Sequence, residues 1–361
     1  MPVLWRYLLS SYFKVFGLCV LAFISTLLVM RFSEIAQFAT SGAPKLTIIL
    51  FISLQIPYVL PFAIPISCLI AAVLLLQRLS HTQELTALRA SGLGLKTITY
   101  PILLMGALLA LLNFTFASEI NPVCRGLTKK LIYEITTQNP LFVLQKDSMI
   151  KMKNIFFDMK MLHSAKGAED VVIVMKNNGN GKLTIMTAKE LSLTGAQLKG
   201  KQVTIISNAT AKEENAFDHL IIENQETMST KAANLSLGMQ KTDWISSFDY
   251  MPLKMVIAKK IINKKSFGSL DLEIIRRFSI GLAAFTFTFI GVAFGMQLGR
   301  THSKKGLMLA IALALFYLLA FIGAKSMRHS LAIPAILYLM PHPIIIFLSM
   351  KAIKRVSKGI E

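Results

Sequence analysis

The chain has 361 residues, of which 54% are hydrophobic and only 16% are charged, and its formal net charge is +20. The apolar residues are collected in long uncharged runs, which excludes a soluble globular protein and indicates a membrane protein. The chain has three cysteines, and two of them lie inside apolar runs, so an exported domain would have to be stable without disulfides.

Six apolar runs are long enough, or nearly so, to cross a membrane as helices, for which about 20 residues are needed. The first, Val15–Met30, is slightly short, but Leu8–Phe13 extend it and Lys14 can reach towards the headgroups. The others are Leu46–Gln77, Thr97–Ser118, Phe278–Leu298, Leu307–Ala324 and Leu331–Met350. The sequence predicts six transmembrane helices, three on each side of a central polar segment, Ser118–Leu270.

The lysines and arginines of the short loops predict the orientation. With the N-terminus inside, twelve of them face the cytoplasm and four face outwards. The outward residues are Arg31, Lys45, Lys325 and Arg328. Long domains are translocated regardless of their charge, so we expect the central polar segment in the periplasm and both termini in the cytoplasm. The positive charge then needs no nucleic-acid partner.

The first outer loop and the second span contain candidate functional residues. Arg31 is either an interfacial anchor or a contact to the phosphate of a lipid headgroup. Pro57, Pro61 and Pro65 are four residues apart and share one face of span 2, where each removes a backbone donor. They predict a kinked or partly unwound helix, unless they are simply tolerated as prolines often are in membrane helices.

The segment between spans 2 and 3 predicts a short amphipathic helix on the cytoplasmic face, over about residues 79–92. Its apolar residues at helical spacing are Leu79, Leu85 and Leu88. Its candidate caps are Thr82 or Ser80 at the start and Gly92 at the end. Glu84 is the only acidic residue predicted on this face apart from the terminal Glu361. A lone carboxylate suits docking to a basic partner residue, although a solvated loop glutamate would give the same pattern.

The central polar segment alternates β-prone runs with turn clusters. The predicted strands are Ser148–Met159, Asp170–Met175, Lys182–Thr187, Gln202–Ser207 and His219–Asn224. The predicted turns are Lys166-Gly167, Asn177–Gly181, Lys199–Lys201 and Asn208–Asn215. This spacing predicts an antiparallel sandwich or jelly roll. Glu119–Gln138, before it, is predicted to continue span 3 as a helix.

The predicted fold is therefore an α-helical membrane protein with six transmembrane helices (3+3) and an inserted all-β, jellyroll-like periplasmic domain. We expect residues 1–117 to hold helices 1–3 and the cytoplasmic helix, residues 118–270 the β domain, and residues 271–361 helices 4–6 and a basic tail. The glycines of span 4 favour close helix contacts, and they are Gly281, Gly291, Gly295 and Gly299. His342 in span 6 is interpreted as a structural residue, with a proton relay as the alternative.

No motif for catalysis or metal binding is visible in the sequence. Gly195–Lys201 resembles a phosphate-binding loop, but Gln202 replaces the required hydroxyl residue and the segment lies between predicted strands. The histidines and cysteines lack ligand spacing. The sequence thus predicts a protein that is not an enzyme and has no cofactor, and that takes its energy from a partner or a gradient.

Two motifs and the overall arrangement resemble the LptF/LptG family of permeases. One motif is the proline-rich span followed by LSHTQELTALRASGLG at Leu79–Gly94, and the other is the block Glu273–Gly299, in which two arginines precede a glycine-rich span. The arrangement of three spans, an exported β domain and three spans covers the whole chain. The prolines of span 6 resemble LptG more than LptF.

This resemblance implies a membrane subunit of the lipopolysaccharide exporter in the bacterial inner membrane. It implies pairing with a related LptF/LptG-type permease and binding of an LptB-type ATPase dimer to the cytoplasmic helices. The lipopolysaccharide would be drawn laterally between spans 1 and 5 of the pair. It would then pass along the jellyroll domains, with an LptC-type protein, to a periplasmic bridge.

The resemblance also implies roles for individual residues. Glu84 matches the carboxylate that docks the ATPase, and Arg31 matches a basic position that contacts the phosphates of the lipid. The remaining predicted docking residues are Leu85, Leu88 and Arg89, and the remaining predicted headgroup contacts are Lys45, Lys325 and Arg328. The chain departs from LptG-like sequences at Gln37 and Phe38, where further lysines can stand.

Two other classes of function share some of these features. A membrane-anchored periplasmic ligand-binding sensor or envelope assembly factor would also expose a large domain. Such a protein would need neither the proline-rich span nor the lone cytoplasmic carboxylate. A secondary transporter is disfavoured because ionisable residues are scarce in the spans.

Overall fold

The structure is a computed structural model, which describes most of the chain. The described residues are 3–40, 44–138, 150–152, 155–161, 167–176, 183–194, 197–209, 219–231, 248–263, 268–296, 304–327 and 331–357. Helices occupy the first and last parts of the chain, and an antiparallel sheet lies between them in sequence. Gly299 and Arg328, two of the predicted functional or packing residues, lie outside these ranges.

The first half of the chain contains three long apolar helices and three shorter ones. They are α1 (Val3–Met30), α2 (Phe32–Thr40), α3 (Lys45–His81), α4 (Glu84–Ala90), α5 (Leu95–Thr115) and α6 (Asn121–Gln138). A five-residue π-helix, Phe116–Ile120, joins α5 to α6, so the third span continues as a helix well beyond its apolar part. The predicted helical exit from span 3 is confirmed.

The second half contains the remaining membrane helices. A 3₁₀ turn (Phe248–Tyr250) precedes α7 (Leu253–Asn263), α8 (Ser269–Gly295), α9 (Lys304–Ser326), α10 (Ala332–Leu339) and α11 (Pro341–Ser357). The last span is interrupted after Leu339, where Pro341 and Pro343 remove two backbone donors. In the described residues, six helical segments are long and apolar enough to cross a membrane, and the six-span prediction is confirmed.

The inserted β region forms one antiparallel sheet whose neighbouring strands follow one another in the chain. Its described strands are β1 (Ile150–Met152), β2 (Ile155–Met161), β3 (Gly167–Lys176), β4 (Leu183–Thr194), β5 (Gln197–Ala209) and β6 (His219–Lys231). Each predicted strand overlaps an observed one, and the predicted Ser148–Met159 run divides into β1 and β2, which pair with each other. The predicted fold class, helices with an inserted all-β domain, is confirmed.

One predicted turn, Lys199–Lys201, is wrong. These residues lie inside β5, where Gly200 pairs with Leu191 on one side and with Met228 on the other. Gly200 is buried, and a Cβ there would lie 2.7 Å from Cγ2 of Val203. The glycine thus allows the Val203 side chain to approach the backbone closely. The strand is irregular at Gln202, whose φ is 49°. Within the described residues, Gln197–Lys201 of the rejected phosphate-loop motif forms part of a strand and not the loop that the motif requires.

The sheet buries one face along its central strands. Residues Val171 and Ile173 of β3, Met186 and Ala188 of β4, and Val203 of β5 are buried, and they alternate with exposed or half-buried neighbours. On the exposed surface, Lys201 Nζ donates to Glu190 Oε2 at 2.8 Å, and this bond lowers the pKa of the Glu190 carboxyl group. Buried and exposed side chains therefore alternate along these strands, as side chains do on the two faces of a sheet.

The chain divides into two compact units. One comprises Met1–Met30, Ser53–Gly126 and Ser247–Glu361, and the other comprises Arg31–Ile52 and Leu127–Ser246. In the first unit, α8 packs closely against α3 and α5 through glycine. A Cβ on Gly291 would lie 2.6 Å from Cβ of Ala72, and one on Gly281 would lie 2.7 Å from Cβ of Phe114. Gly281, Gly291 and Gly295, the described glycines of the predicted set in span 4, thus make close helix contacts as predicted.

Candidate functional site

The short helix α4 packs one face inside the first of the two units, which holds most of the membrane helices and is called the membrane unit below. Leu85 is fully buried in a cluster with Leu8, Leu79 and Leu95, and Leu88 packs at its edge. Thr86, Ala87 and Ala90 are exposed on the opposite face, while Arg89 is half-buried. Of the predicted docking residues, Leu85 and Leu88 therefore anchor the helix, and the surface offered to a partner is formed by its other face.

The ends of α4 agree only partly with the sequence prediction. Gly92 has φ +86°, its N–H donates to Arg89 O, and Leu93 N–H donates to Leu88 O, so the predicted glycine stop is confirmed as a Schellman motif. The predicted start is wrong, because the helix begins at Glu84 after Gln83, which has φ 59° and makes no side-chain cap. A tight left-handed turn, rather than a hydroxyl cap, redirects the chain there.

Glu84 joins α4 to the first membrane helix. Tyr7 OH donates to Glu84 Oε2 at 3.0 Å, and Thr82 Oγ1 lies 3.0 Å from Glu84 Oε1. Arg89 Nη2 donates to the carbonyl of Ser357 in α11 at 3.4 Å. The sequence prediction missed Tyr7, which is 77 residues from Glu84, since no local pattern joins them. The helix is thus connected to both the first and the last membrane span.

The three prolines of span 2 lie in one continuous helix, α3, and the partly unwound form of the prediction is not what the structure shows. Pro65 has no N–H to give to the carbonyl of Pro61. Instead, Nδ2 of the buried Asn113 in α5 donates to Pro61 O at 3.2 Å and to Ile280 O in α8 at 2.8 Å. A side chain from a neighbouring helix therefore compensates for the proline and ties three spans together.

A buried charge cluster occupies the N-terminal end of α8. Arg277 is 2% exposed, and its Nε donates to Glu273 Oε1 at 2.7 Å. Its other nitrogens donate to the carbonyls of Ser118 at 3.0 Å and of Phe248 and Met251, both at 2.8 Å. Arg276 bridges Glu273 and Asp249. The cluster fixes the π-helix and the segment 248–251 to α8. The sequence showed only that two arginines precede a span and did not predict this role.

The predicted headgroup residues have different surroundings. Arg31 is held by Glu34, with Nη1 2.7 Å from both carboxylate oxygens, and Lys45 is exposed at the first turn of α3. Lys325 lines a cavity of about 300 Å³, together with Asp249, Glu273 and Arg276 of the charge cluster. Arg328 and the side chains of Gln37 and Phe38 lie outside what the structure describes. Arg31 and Lys45 belong to one unit and Lys325 to the other.

His342 is buried in the last span and is bonded through both ring nitrogens. Nε2 lies 3.0 Å from Ser279 Oγ, and Nδ1 lies 2.7 Å from Thr286 Oγ1. Ser279 Oγ also donates to the carbonyl of Tyr338 at 2.8 Å, so its proton is used and Nε2–H is the donor to it. These bonds attach α11 to α8, as expected of a structural histidine. Among the described residues, no group of three or more His, Cys, Asp or Glu could hold a metal ion.

Comparison with known proteins agrees with this architecture. The family model described as lipopolysaccharide export system permease LptF/LptG matches residues 6–355 of the chain. The match includes α4, the proline-containing α3, the sheet and the charge cluster of α8. No curated protein sequence matches the chain.

Proposed function

Because the chain belongs to the LptF/LptG family of lipopolysaccharide export permeases, we propose that it extracts lipopolysaccharide from the inner membrane and passes it to a periplasmic bridge. As a member of this family it is a multi-pass inner-membrane protein and a non-catalytic transporter subunit. The proposed energy source is a separate LptB-type ATPase dimer, and the proposed neighbours are a paralogous permease and an LptC-type protein. The observation that carries the proposal is the α4 helix, anchored at Leu85 and bonded to two distant spans.

Extraction of a lipid with several acyl chains needs both an energy input and a dry route. Each methylene group exposed to water costs about 0.8 kcal/mol, so wetting all chains at once would cost tens of kcal/mol. The membrane helices of this chain offer apolar surface, while the β domain has a buried apolar face on β3, β4 and β5. We assign the membrane helices to extraction and the β domain to reception of the lipid.

The proposed orientation places α4 and both termini in the cytoplasm. In this orientation, the exposed face of α4 meets the ATPase. A carboxylate accepts up to about four hydrogen bonds, and Glu84 uses one site for Tyr7 and one for Thr82. The remaining lone pairs of Glu84 can accept hydrogen bonds from a cationic side chain of the ATPase. Movement of α4 would then pull on α1 through Tyr7 and on α11 through Ser357.

The lipid phosphates are proposed to meet Arg31, Lys45, Lys325 and Arg328 on the periplasmic side. Arg31 carries an ion pair with Glu34 that is partly exposed, with side-chain exposures of 31% and 52%. Such exposed pairs contribute little to stability, so a phosphate can displace Glu34 at low cost. On the β domain, β6 is an end strand of the described sheet and exposes Ile221 and Ile222. An LptC-type strand could extend the sheet there.

The experiment is purification of the complex from cells that carry Glu84→Lys. We expect this charge reversal to remove the ATPase subunits while the permease pair stays folded, because the docking carboxylate becomes a repelling cation. Lys351→Glu is also a charge reversal of two units on the same face, although of opposite sign, and it should retain the ATPase. Full ATPase stoichiometry and normal transport with Glu84→Lys would refute the docking role. A wild-type complex that contains no ATPase would favour the sensor or assembly factor.

A further inference from the structure

An open basic cavity lies beside the beginning of α1 and the end of α3, and its volume is about 600 Å³. Its polar lining comprises the side chains of Arg6, Tyr7, Ser10, Ser11, Lys14 and Arg78. All three cations are exposed, and no ion pair or side-chain hydrogen bond engages any of them within the described residues. The cavity thus combines three unneutralised positive charges with the hydroxyl groups of Ser10 and Ser11, while the Tyr7 hydroxyl donates to Glu84. Such a set of donors suits a phosphate group.

Glu84, the carboxylate that accepts a hydrogen bond from Tyr7, does not neutralise these cations. Glu84 accepts from Tyr7 and Thr82, and neither it nor any other acidic residue lines the cavity. Arg276 and Arg277 at the start of α8 differ from these three cations, since carboxylates and carbonyls engage both of them. The excess of lysine and arginine that sets the orientation requires cations on the cytoplasmic side. It does not require three of them to line one cavity together with hydroxyl groups.

The polar face of α1 in this cavity continues directly into an apolar face. Leu18 and Leu21 follow Lys14 at spacings of four and seven residues, and their exposures are 69% and 65%. Leu8 and Tyr12, on the other side of the helix, are fully buried against the protein. A ligand seated at Lys14 would therefore find an uncovered hydrophobic track on the same helix face.

We propose that this cavity binds the phosphate of an anionic phospholipid of the cytoplasmic leaflet, with an acyl chain along Leu18 and Leu21. A soluble phosphate compound has the same anionic chemistry but would leave the apolar track unused. The assignment to the cytoplasmic leaflet rests on the orientation in the proposed function. Because Tyr7 lines the cavity and also donates to Glu84, the bound headgroup lies next to the contact that joins α1 to α4.

The test is native mass spectrometry of the purified full complex, titrated with phosphatidylglycerol and, in parallel, with phosphatidylcholine. Each basic residue near a headgroup contributes about fivefold in affinity, so Arg6→Gln, Lys14→Gln and Arg78→Gln together should weaken phosphatidylglycerol binding by about a hundredfold. The matched control is Lys96→Gln, Lys351→Gln and Lys354→Gln, which removes the same charge from the same face. It should leave the bound phosphatidylglycerol unchanged.

A second variant avoids any effect of lost cations on membrane insertion. Ser10→Glu keeps all three cations but places a negative charge in the cavity, and we expect it to release phosphatidylglycerol. Equal loss in the control triple variant, or equal binding of phosphatidylcholine, would overturn the proposal. So would displacement of the lipid by millimolar glycerol phosphate, since that outcome assigns the cavity to a soluble anion.

The orientation is tested separately from the lipid. Ser10→Cys, in a background with Cys19→Ser and Cys124→Ser, should resist an impermeant maleimide in intact cells and react after the inner membrane is opened. Labelling in intact cells would overturn the orientation and with it the assignment to the cytoplasmic leaflet. A wild-type complex that contains no ATPase but still binds phosphatidylglycerol would contradict the proposed docking and leave the lipid site standing.

Discussion

Replacement of Arg277 by methionine tests the buried charge cluster that opens α8. Methionine keeps much of the side-chain volume but removes the guanidinium that donates to Glu273 and to the carbonyls of Ser118, Phe248 and Met251. Those carbonyls belong to the π-helix and to the segment that leads from the β domain back to the membrane. The perturbation therefore disconnects two segments from α8 without changing either of them.

The expected cost follows from what remains after the change. Glu273 keeps two bonds from Arg276, at 2.6 and 2.8 Å, so it stays paired. The carbonyls lose a charged donor, and such bonds contribute about 1.5–3 kcal/mol each. Removal of one member of a buried ion pair generally costs about 3–5 kcal/mol, which we expect here. The matched variant Arg276→Met should cost only about 1 kcal/mol, since Glu273 keeps Arg277 and the partly exposed Asp249 regains water.

Cys68 provides the assay. It is fully buried, so a thiol-reactive fluorophore reports unfolding in detergent once the partly exposed Cys19 and Cys124 are replaced by serine. Each kcal/mol of lost stability lowers the midpoint of thermal unfolding by about 2–4 °C. This midpoint should therefore fall by roughly 10 °C for Arg277→Met and by roughly 3 °C for Arg276→Met. Arg277→Lys should recover little, because one ammonium group cannot reach acceptors spread around a planar guanidinium.

Equal shifts for the two methionine variants would refute this reasoning, and so would full recovery by lysine. Either result would mean that the cluster acts through net charge alone. The distribution of acceptors around Arg277 would then contribute nothing to stability.

Two further predictions concern contacts between the spans. Gly291→Ala should destabilise the chain by about 1–3 kcal/mol, since the new Cβ would lie 2.6 Å from Ala72 Cβ. Gly323→Ala, in a helix where a Cβ meets nothing within 4 Å, should stabilise it by about 0.5–1 kcal/mol. Asn113→Leu should cost about 2 kcal/mol in the same assay because the Pro61 carbonyl loses its donor, and Asn113→Asp should cost more, since a carboxylate cannot donate.

The outcomes that count against these predictions are distinct. Equal effects of the two glycine variants would mean that α3 and α8 can separate freely at Gly291. A neutral Asn113→Leu variant would mean that the carbonyls of Pro61 and Ile280 find other partners. Asn113→Asp as stable as wild type would show that donation to these carbonyls is not the role of the amide.

The spans and the stop of α4 could be predicted because they depend on local chemistry. A bilayer-crossing segment must be apolar over its whole length and must satisfy its backbone internally, so length and hydropathy are sufficient evidence. Gly92 ends α4 because the left-handed conformation there is easiest for glycine. The turn at Lys199–Lys201 was predicted by the same local rule and is wrong. There the glycine serves a packing contact with Val203, which local sequence does not distinguish from a turn.

The sequence by itself determined the class of the protein, its six spans, the β domain between them and the resemblance that the family match confirms. The tertiary structure alone decided which polar groups meet: Tyr7 with Glu84, Asn113 with the carbonyl left free by Pro65, and Arg277 with the π-helix. It also turned Leu85 inward and made the remaining face of α4 the one available for docking. The physical reason is that apolar length and backbone preference act within a few residues. A hydrogen bond between distant segments has no signature until the helices that carry its donor and acceptor have packed.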